Sequence, residues 1–309
     1  MRIGTRASKL ALTQSGMMQR QIAALLGADP SDPEEVDAVA PLVRITTSGD
    51  RIQDRRLLDE GGKGLFVKEI EEALLDGRID CAVHSLKDVP SASPRGLVLA
   101  AYPEREDPRD AFLSIGHASF ASLPRRARLG TASLRRQTQS LFARPDLEVV
   151  LLRGNVDTRL AKLEAGEADA ILLALSGLKR LGLGHLPKEI LDPIERPPAP
   201  GQGALAIQSR EADAGADWLQ ALNHSDTALA IAAERGALEA LEGSCRTAIG
   251  AYAQVIGDQV ELIVEALTPD GRERFRRQGR VGAGRDVRGL GLELGRAIMA
   301  EGGERLFLA

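Results

Sequence analysis

The alternation of short apolar runs with runs of helical period constrains this chain more than any other feature. Strand-like runs fall at Arg2–Thr5, Leu42–Thr46, Cys81–His84 and Val98–Ala101, with helix-like runs at Leu10–Leu26 and Phe66–Leu75. A second set follows, with Leu129–Thr131, Val149–Leu152 and Ala170–Ala174 as strands and Ser133–Phe142 and Val156–Glu164 as helices. Such alternation predicts α/β lobes with largely parallel sheets, and two sets predict two lobes of similar size. Tyr102–Pro108 and Arg196–Gly203, punctuated by proline and glycine, read as hinges. The strand-like Ala204–Gln208 beyond them would return the chain to the first lobe, and two crossings would build a cleft with hinges at its back.

The last third reads differently. Thr227–Leu241 is a helical run with Asp226 as N-cap and Gly243 as its stop. Ile249–Val255, Val260–Leu267 and Arg272–Val281 follow as strands joined by turns, and Asp286–Ala300 closes as a helix. The expected fold class is therefore α/β with three domains. Residues 1–100 plus 203–221 form one cleft lobe and 101–202 the other. Residues 222–309 form a small α+β domain with a three-stranded antiparallel sheet.

Composition excludes several functions. Aromatics are 3% of the 309 residues, too few for base-stacking platforms, and the net charge of −4 disfavours a polyanion-coating surface, so no nucleic acid is expected. No apolar run reaches membrane-spanning length, and Met1–Arg6 reads straight into a strand without a signal-peptide region. The expected location is cytoplasmic, with Cys81 and Cys245 both reduced. Four scattered histidines and no Cys/His cluster predict no metal site.

Three strand-to-helix corners concentrate the chemistry. Thr5-Arg-Ala-Ser-Lys9 places Arg6 and Ser8 at the first; Gly130-Thr-Ala-Ser-Leu-Arg-Arg-Gln137 places Ser133 and two arginines at the second; Leu152-Arg-Gly-Asn-Val-Asp-Thr-Arg159 places Arg153 and Arg159 at the third. Arginine at a helix N-terminus opposes the helix dipole, and an anionic ligand supplies the reason for it. None of the corners has Walker or GxGxxG spacing, which disfavours a nucleotide. The ligand implied carries several carboxylates or phosphates. Val83-His-Ser-Leu-Lys-Asp-Val-Pro90 ends an apolar strand in a polar cluster, where Asp88 reads either as a positioned acid or as part of a solvated turn. His84 reads as a satisfied strand-end histidine and Cys81 as an inert core thiol. Gly61-Gly-Lys-Gly-Leu-Phe66 adds a glycine loop with one lysine, and Cys245 sits in the glycine-serine stretch Glu242-Gly-Ser-Cys245.

With those stretches side by side, the chain resembles the porphobilinogen deaminase (hydroxymethylbilane synthase) family along nearly its whole length. The resemblance rests on Gly4–Ser8, Gly61–Phe66, His84–Pro90, Thr131–Arg136, Leu152–Arg159, Pro200–Gly203 and Glu242–Cys245, in the family's order. It implies that the first two domains are halves like those of type II periplasmic binding proteins. It implies a dipyrromethane cofactor joined to Cys245 by a thioether, as a permanent primer. The implied reaction joins four porphobilinogen molecules head to tail with loss of ammonia, then releases hydroxymethylbilane by hydrolysis, in tetrapyrrole and haem biosynthesis. Asp88 is implied as the catalytic carboxylate. Arg6, Arg135, Arg136, Arg153, Arg159 and Arg180, with Ser8, Lys63, Ser85, Lys87, Thr131 and Ser133, are implied to bind cofactor and substrate carboxylates. The same resemblance places Asp50 near the cofactor, Phe66 over the site, and Gln202 against pyrrole or backbone. Asp59 stands where many relatives carry a lysine, so no anion-binding role passes to it; Ala132 replaces a small hydroxyl residue.

A two-lobed cytoplasmic binding module for a polyanionic small molecule would share the arginine corners. It needs neither a carboxylate in the cleft nor a loop thiol, so Asp88 and Cys245 together favour the enzyme. A cysteine hydrolase is weaker still, because no motif places a histidine as its base. An enclosed cleft within one chain predicts a monomer.

Overall fold

The computed structural model describes residues 1–51, 64–241 and 247–307. The chain starts with β1 (Ile3–Arg6), α1 (Lys9–Leu25), α2 (Pro33–Val39), β2 (Leu42–Ile45) and the short α3 (Ser48–Arg51), then α4 (Lys68–Leu75), β3 (Cys81–Ser85) and β4 (Leu97–Ala101). It continues through β5 (Asp110–Leu113), β6 (Arg128–Gly130), α5 (Leu134–Ala143), β7 (Glu148–Val150), α6 (Val156–Glu164), β8 (Ala170–Ala174), α7 (Leu175–Arg180) and β9 (Glu189–Ile190). β10 (Leu205–Arg210), α8 (Asp217–Leu222) and α9 (Ser225–Ala240) precede β11 (Ala248–Ile256), β12 (Gln259–Leu267), β13 (Arg274–Gly282) and α10 (Val287–Gly302).

These elements divide into two compact units. One comprises the described residues of Met1–Ile52, Lys63–Glu106 and Ala204–Ala228; the other is built from Asp107–Gly203 and Leu229–Ala309. The first contains one five-stranded sheet, ordered β2-β1-β3-β10-β4. The second contains a five-stranded sheet, ordered β7-β6-β8-β5-β9, and the three-stranded sheet β11-β12-β13.

The two five-stranded sheets follow one plan. In each, three strands run parallel: β2, β1 and β3 in the first, β7, β6 and β8 in the second. In each, the fourth position is an antiparallel strand, β10 or β5, and the fifth pairs antiparallel with it. The antiparallel strand is in both cases the first strand after the chain crosses from the other unit. The sequence reading found β10 but not β5, because β5 opens on a carboxylate, Asp110, and the apolar pattern starts one residue late.

Local chemistry explains the elements. The parallel strands β3 and β8 are buried along nearly their whole length and read as continuous apolar runs. Ser8 caps α1 by accepting from the Ala11 N–H, and Met18, Ile22 and Ala23 turn its apolar face into the first core. Asp32 caps α2 ahead of Pro33 at the first helical position, and Asn155 caps α6. α9 starts at Ser225, so Asp226 lies in its first turn, one residue inside the expected cap. β12 pairs in full register with β11 and β13, and Val260, Leu262 and Val264 on one face join α10 in a separate core.

α9 and α10 approach closely at glycines. A Cβ at Gly291 would stand 2.0 Å from the Ala233 carbonyl oxygen and 2.7 Å from the Ala237 nitrogen. Both are backbone atoms that cannot rotate away. Gly291→Ala is therefore expected to cost about 1–3 kcal/mol by overpacking. Gly284→Ala, where nothing lies within 4 Å, should be near neutral. Thermal unfolding of the two variants checks this, and equal melting temperatures would refute the close-packing account.

Candidate functional site

In the first unit the parallel strands end along one edge, and the chemistry collects there. Ligands of α/β sheets bind beyond such carboxyl ends. Arg6 is the last residue of β1, Asp50 lies in α3 just after β2, and Ser85 ends β3. A single 3₁₀ turn, Leu86–Asp88, follows β3, anchored by the buried Leu86 whose N–H donates to the Ala204 carbonyl at 3.1 Å.

Arg6 is held on two sides. Its Nε and Nη2 donate to the Asp50 carboxylate at 3.1 and 2.5 Å, and its guanidinium lies 4.0 Å from the Phe66 ring centroid. The Thr47 hydroxyl donates to the other Asp50 oxygen at 2.7 Å. Burial raises the Asp50 pKa, but Arg6 and Thr47 outweigh it and hold the carboxyl below its ordinary value. Ser85 donates to Gln14 Oε1 at 2.9 Å. Lys87 and Asp88 are exposed. The Asp88 carboxylate makes no hydrogen bond or ion pair among the described residues.

Beneath this edge lies a buried chain that sequence reasoning read only as a satisfied histidine. His84 Nε2 stands 3.0 Å from Gln208 Oε1, and Gln208 Nε2 donates to Glu71 Oε1 at 3.0 Å. Since Gln208 offers its oxygen, His84 is the donor, which fixes the Nε2–H tautomer. Burial pushes the His84 pKa down to about 4 and the Glu71 carboxyl up. Cys81 is an inert core thiol, as expected, pushed up to about 12 chiefly by burial.

In the second unit the same edge carries the second and third corners. Ser133 caps α5, accepting from the Arg136 N–H, and the Thr131 hydroxyl accepts from the Ser133 N–H at 3.1 Å. Arg153 follows β7, and Arg159 donates from Nε to the Gly154 carbonyl at 2.8 Å. Arg180 ends α7 and donates to the Gly203 carbonyl at 2.7 Å.

Arg135 and Arg136 do not stand free at the helix end. Both are buried on one carboxylate, Asp110 of β5, itself 2% exposed. Arg135 Nη1 donates to Asp110 at 2.9 Å, Gln139 Oε1 at 2.8 Å and the Pro197 carbonyl at 3.2 Å. Arg136 donates to Asp110 from Nη2 at 2.7 Å and to the Leu172 carbonyl from Nη1 at 2.9 Å. Gln202 adds Nε2 bonds to Asp110 at 2.8 Å and to the Pro108 carbonyl at 2.7 Å. Burial alone would raise the Asp110 pKa; the two guanidiniums overcome it and hold the carboxyl far below the usual range.

Two guanidiniums and one carboxylate leave this buried cluster with one positive charge in excess. Buried Arg135 Nε and Arg153 Nη1 have no hydrogen-bond acceptor among the described residues. Both observations fit a ligand that brings carboxylates to this edge. Sequence reasoning missed Asp110. The signal available was a lone aspartate ahead of the apolar Ala111–Leu113, a pattern that needs a cationic partner once buried. Lys63 and Cys245, together with Asp59, lie outside the described residues. Among the described residues no group of three or more His, Cys, Asp or Glu is placed to hold a metal, and no helix is long and apolar enough to cross a membrane.

Two α/β sheets of one plan, each with arginines and hydroxyls at its parallel-strand ends, and a small antiparallel sheet make up the described fold. Comparison with known proteins gives the family. Residues 1–217 match porphobilinogen deaminase, dipyromethane cofactor binding domain, and residues 228–300 match porphobilinogen deaminase, C-terminal domain. Porphobilinogen deaminase of Caulobacter sp. (strain K31) is 65% identical over 99% of this chain and 98% of its own length. Those of Phenylobacterium zucineum (strain HLK1) and Caulobacter vibrioides are each 64% identical over 99% of this chain, covering 98% and 97% of theirs. Among solved structures, a periplasmic substrate-binding protein of an ABC transporter from Coxiella burnetii aligns with a TM-score of 0.44 and 14% identity, over 72% of this chain and 89% of that one. The chain belongs to the porphobilinogen deaminase family.

Two consequences are measurable. Asp110→Asn leaves two buried guanidiniums without their carboxylate and is expected to cost about 3–5 kcal/mol, read as a lower unfolding midpoint; an unchanged midpoint would remove Asp110 from its central place. His84 has a folded-state pKa below its unfolded value, so between pH 6.5 and about 4 only the unfolded chain takes up its proton. Stability should fall as pH drops through that window, by up to about 3 kcal/mol. His84→Gln should flatten this part of the stability–pH curve, and an identical curve for the variant would contradict the assignment.

Proposed function

We propose that this chain grows its product on a dipyrromethane primer joined through a thioether to Cys245, with Asp88 as the carboxylate at the reacting carbons. The chain is a transferase of tetrapyrrole biosynthesis that uses porphobilinogen and a dipyrromethane cofactor. Family membership leaves the binding-module alternative unfavoured. The observation that carries the residue-level reading is the contrast between Asp88 and the other strand-end carboxylates. Asp50 and Asp110 are bound to arginine, whereas Asp88 is exposed on a turn between the buried Leu86 and Val89 and uncommitted among the described residues.

The dipyrromethane, when bound, supplies a pyrrole α-carbon on which chain growth begins. The protein's part is to bind, orient and move protons. Each porphobilinogen brings an acetate and a propionate, and bidentate guanidinium suits these better than ammonium does. Arg6 and Lys87 serve them in the first unit. In the second unit Arg153, Arg159, Arg180 and the excess positive charge of the Arg135–Asp110–Arg136 cluster do so. Lys63, outside the described residues, is assigned the same task. In each cycle the substrate's aminomethyl C–N bond breaks, ammonia leaves, and a C–C bond forms to a free pyrrole α-carbon, which then loses its proton. A carboxylate at Asp88 accepts the pyrrole N–H, stabilises the positive charge that develops as ammonia departs, and takes part in the proton transfers.

For Cys245 the support is positional. Its stretch follows α9 and the fully buried Leu241 just beyond it, and precedes Thr247, which bridges to Phe307 immediately ahead of β11. Arg246, next to Cys245 in the sequence, adds a positive charge that would favour the thiolate needed to bond an electrophile. We further propose three domains, 1–100 plus 203–221, 101–202 and 222–309, acting as a monomer in the cytoplasm.

Intact mass separates these claims from their rivals. The purified protein is expected to carry the excess mass of a linked pyrrole pair, and Cys245→Ser to carry none; a Cys245→Ser protein with the same excess would exclude that thiol. Asp88→Asn should fold and bind the primer while turnover falls about 10²–10⁴-fold, and turnover near wild type would remove Asp88 from the chemistry.

A further inference from the structure

The first unit carries a glycine that its own backbone does not require. Gly49 lies in α3 between Ser48 and Asp50, outside the left-handed region, so an alanine could adopt its conformation. Alanine is also the better helix former. What an alanine would meet is the Phe66 ring. A Cβ on Gly49 would stand 2.5 Å from Phe66 Cδ1, 2.9 Å from Cζ and closer still to Cε1, all on one edge of the ring. Carbon atoms in contact prefer about 3.5–4.0 Å.

The main chain on both sides of this contact is held. The Gly49 N–H donates to the Leu65 carbonyl at 2.8 Å. Ser48 donates from its N–H and its hydroxyl to Glu69 Oε1. The Asp50 N–H donates to the carbonyl of the fully buried Thr47 at 3.1 Å, and the Asp50 carboxylate accepts from Arg6 and from the Thr47 hydroxyl. Beyond Phe66, the Val67 and Lys68 N–H groups both donate to the Gly64 carbonyl, and Val67 is buried. An added methyl must therefore move the ring. That ring is the platform for Arg6, whose guanidinium lies 4.0 Å from its centroid.

We infer that Gly49 is a positioning residue: the space of its missing side chain keeps Phe66 stacked on Arg6, and so sets the plane in which Arg6 meets a ligand carboxylate. Asp50 grips one side of the guanidinium, through Nε and Nη2, and the ring fixes the tilt about that side. The inference rests on the function proposed above in one respect, that Arg6 binds the acetate or propionate of the substrate.

The Arg6 Nε–H, held by Asp50, gives a readout that does not depend on turnover. The ring current of Phe66 displaces its proton resonance, and Arg6→Lys identifies the signal by removing it. Gly49→Ala is expected to move this resonance in the same direction as Phe66→Ala does. In turnover, counted per primer-carrying chain by intact mass, Gly49→Ala should raise KM for porphobilinogen about 3- to 30-fold, the loss of one cation–π contact, with kcat within about twofold. Adding Gly49→Ala to Phe66→Ala should then change neither the resonance nor KM, because the ring it displaces is gone. If Gly49→Ala alone does not fold, recovery of folding in the double variant shows that the clash runs through Phe66, and a double variant that also fails to fold overturns the inference. An Arg6 signal at its wild-type position in Gly49→Ala, or effects of the two substitutions that add, would overturn it as well. A moved signal with KM unchanged in both Gly49→Ala and Arg6→Lys would uphold the stack and remove Arg6 from carboxylate binding, which separates failure of the function proposed above from failure of this inference.

Discussion

The second unit depends on one buried carboxylate. Asp110 accepts from Arg135, Arg136 and Gln202, and these partners lie on different parts of the chain. Arg135 and Arg136 open α5. Gln202 sits in the segment that leads back to the first unit, and its second bond, to the Pro108 carbonyl, ties it to the segment that leads in. Gly201, next to it, donates to Glu234 of α9 at 2.7 Å. The segments by which the chain enters and leaves this unit are thus joined through charge-assisted bonds in a dry interior. There such bonds are strong when complete and costly when any member is lost.

The same cluster explains why arginine stands where the helix dipole disfavours it. A lone arginine at the first turn of α5 would meet the positive helix end with nothing to offset it. Asp110 cancels one of the two charges and leaves the other. The helix end therefore stays attractive to carboxylates without holding two uncompensated guanidiniums in the absence of ligand. The first unit solves a similar problem differently, since Arg6 is paired with Asp50 and stacked on Phe66. In both units the guanidinium plane is set by partners within the unit, which would lower the ordering cost of the carboxylate binding proposed for it.

Much of this was legible in the sequence, for physical reasons that differ by element. Parallel strands buried on both faces must be continuously apolar, so Cys81–His84 and Ala170–Ala174 announce themselves. The third sheet has one face on a helix, so Val260, Leu262 and Val264 alternate as they should. Ser8, Ser133 and Asn155 stand at helix starts because the first-turn N–H groups need acceptors. The commitment of Arg135 and Arg136 was not legible. Their partner lies 25 and 26 residues away on a strand whose position depends on the whole sheet. β5 was missed for the same reason, because the aspartate that obscures its apolar pattern makes sense only once the two arginines are beside it. Gln139 and Glu265 meet across 126 residues, and no local pattern marks them.

The aspartates at the strand ends show how environment divides labour among identical side chains. Asp110 is closed to solvent and saturated with donors, so it can neither take nor give a proton in the working pH range; its value is geometric. Asp50 is half-buried and shares its oxygens between Arg6 and Thr47, which makes it an orienting group for a guanidinium. Asp88 is exposed on a turn whose neighbours, Leu86 and Val89, are anchored in the core. It therefore keeps a fixed address while its lone pairs remain available. The role proposed for Asp88, to accept a pyrrole N–H, face a developing cation and pass on a proton, calls for that combination of anchored neighbours and uncommitted oxygens. Of the three, Asp88 alone has it.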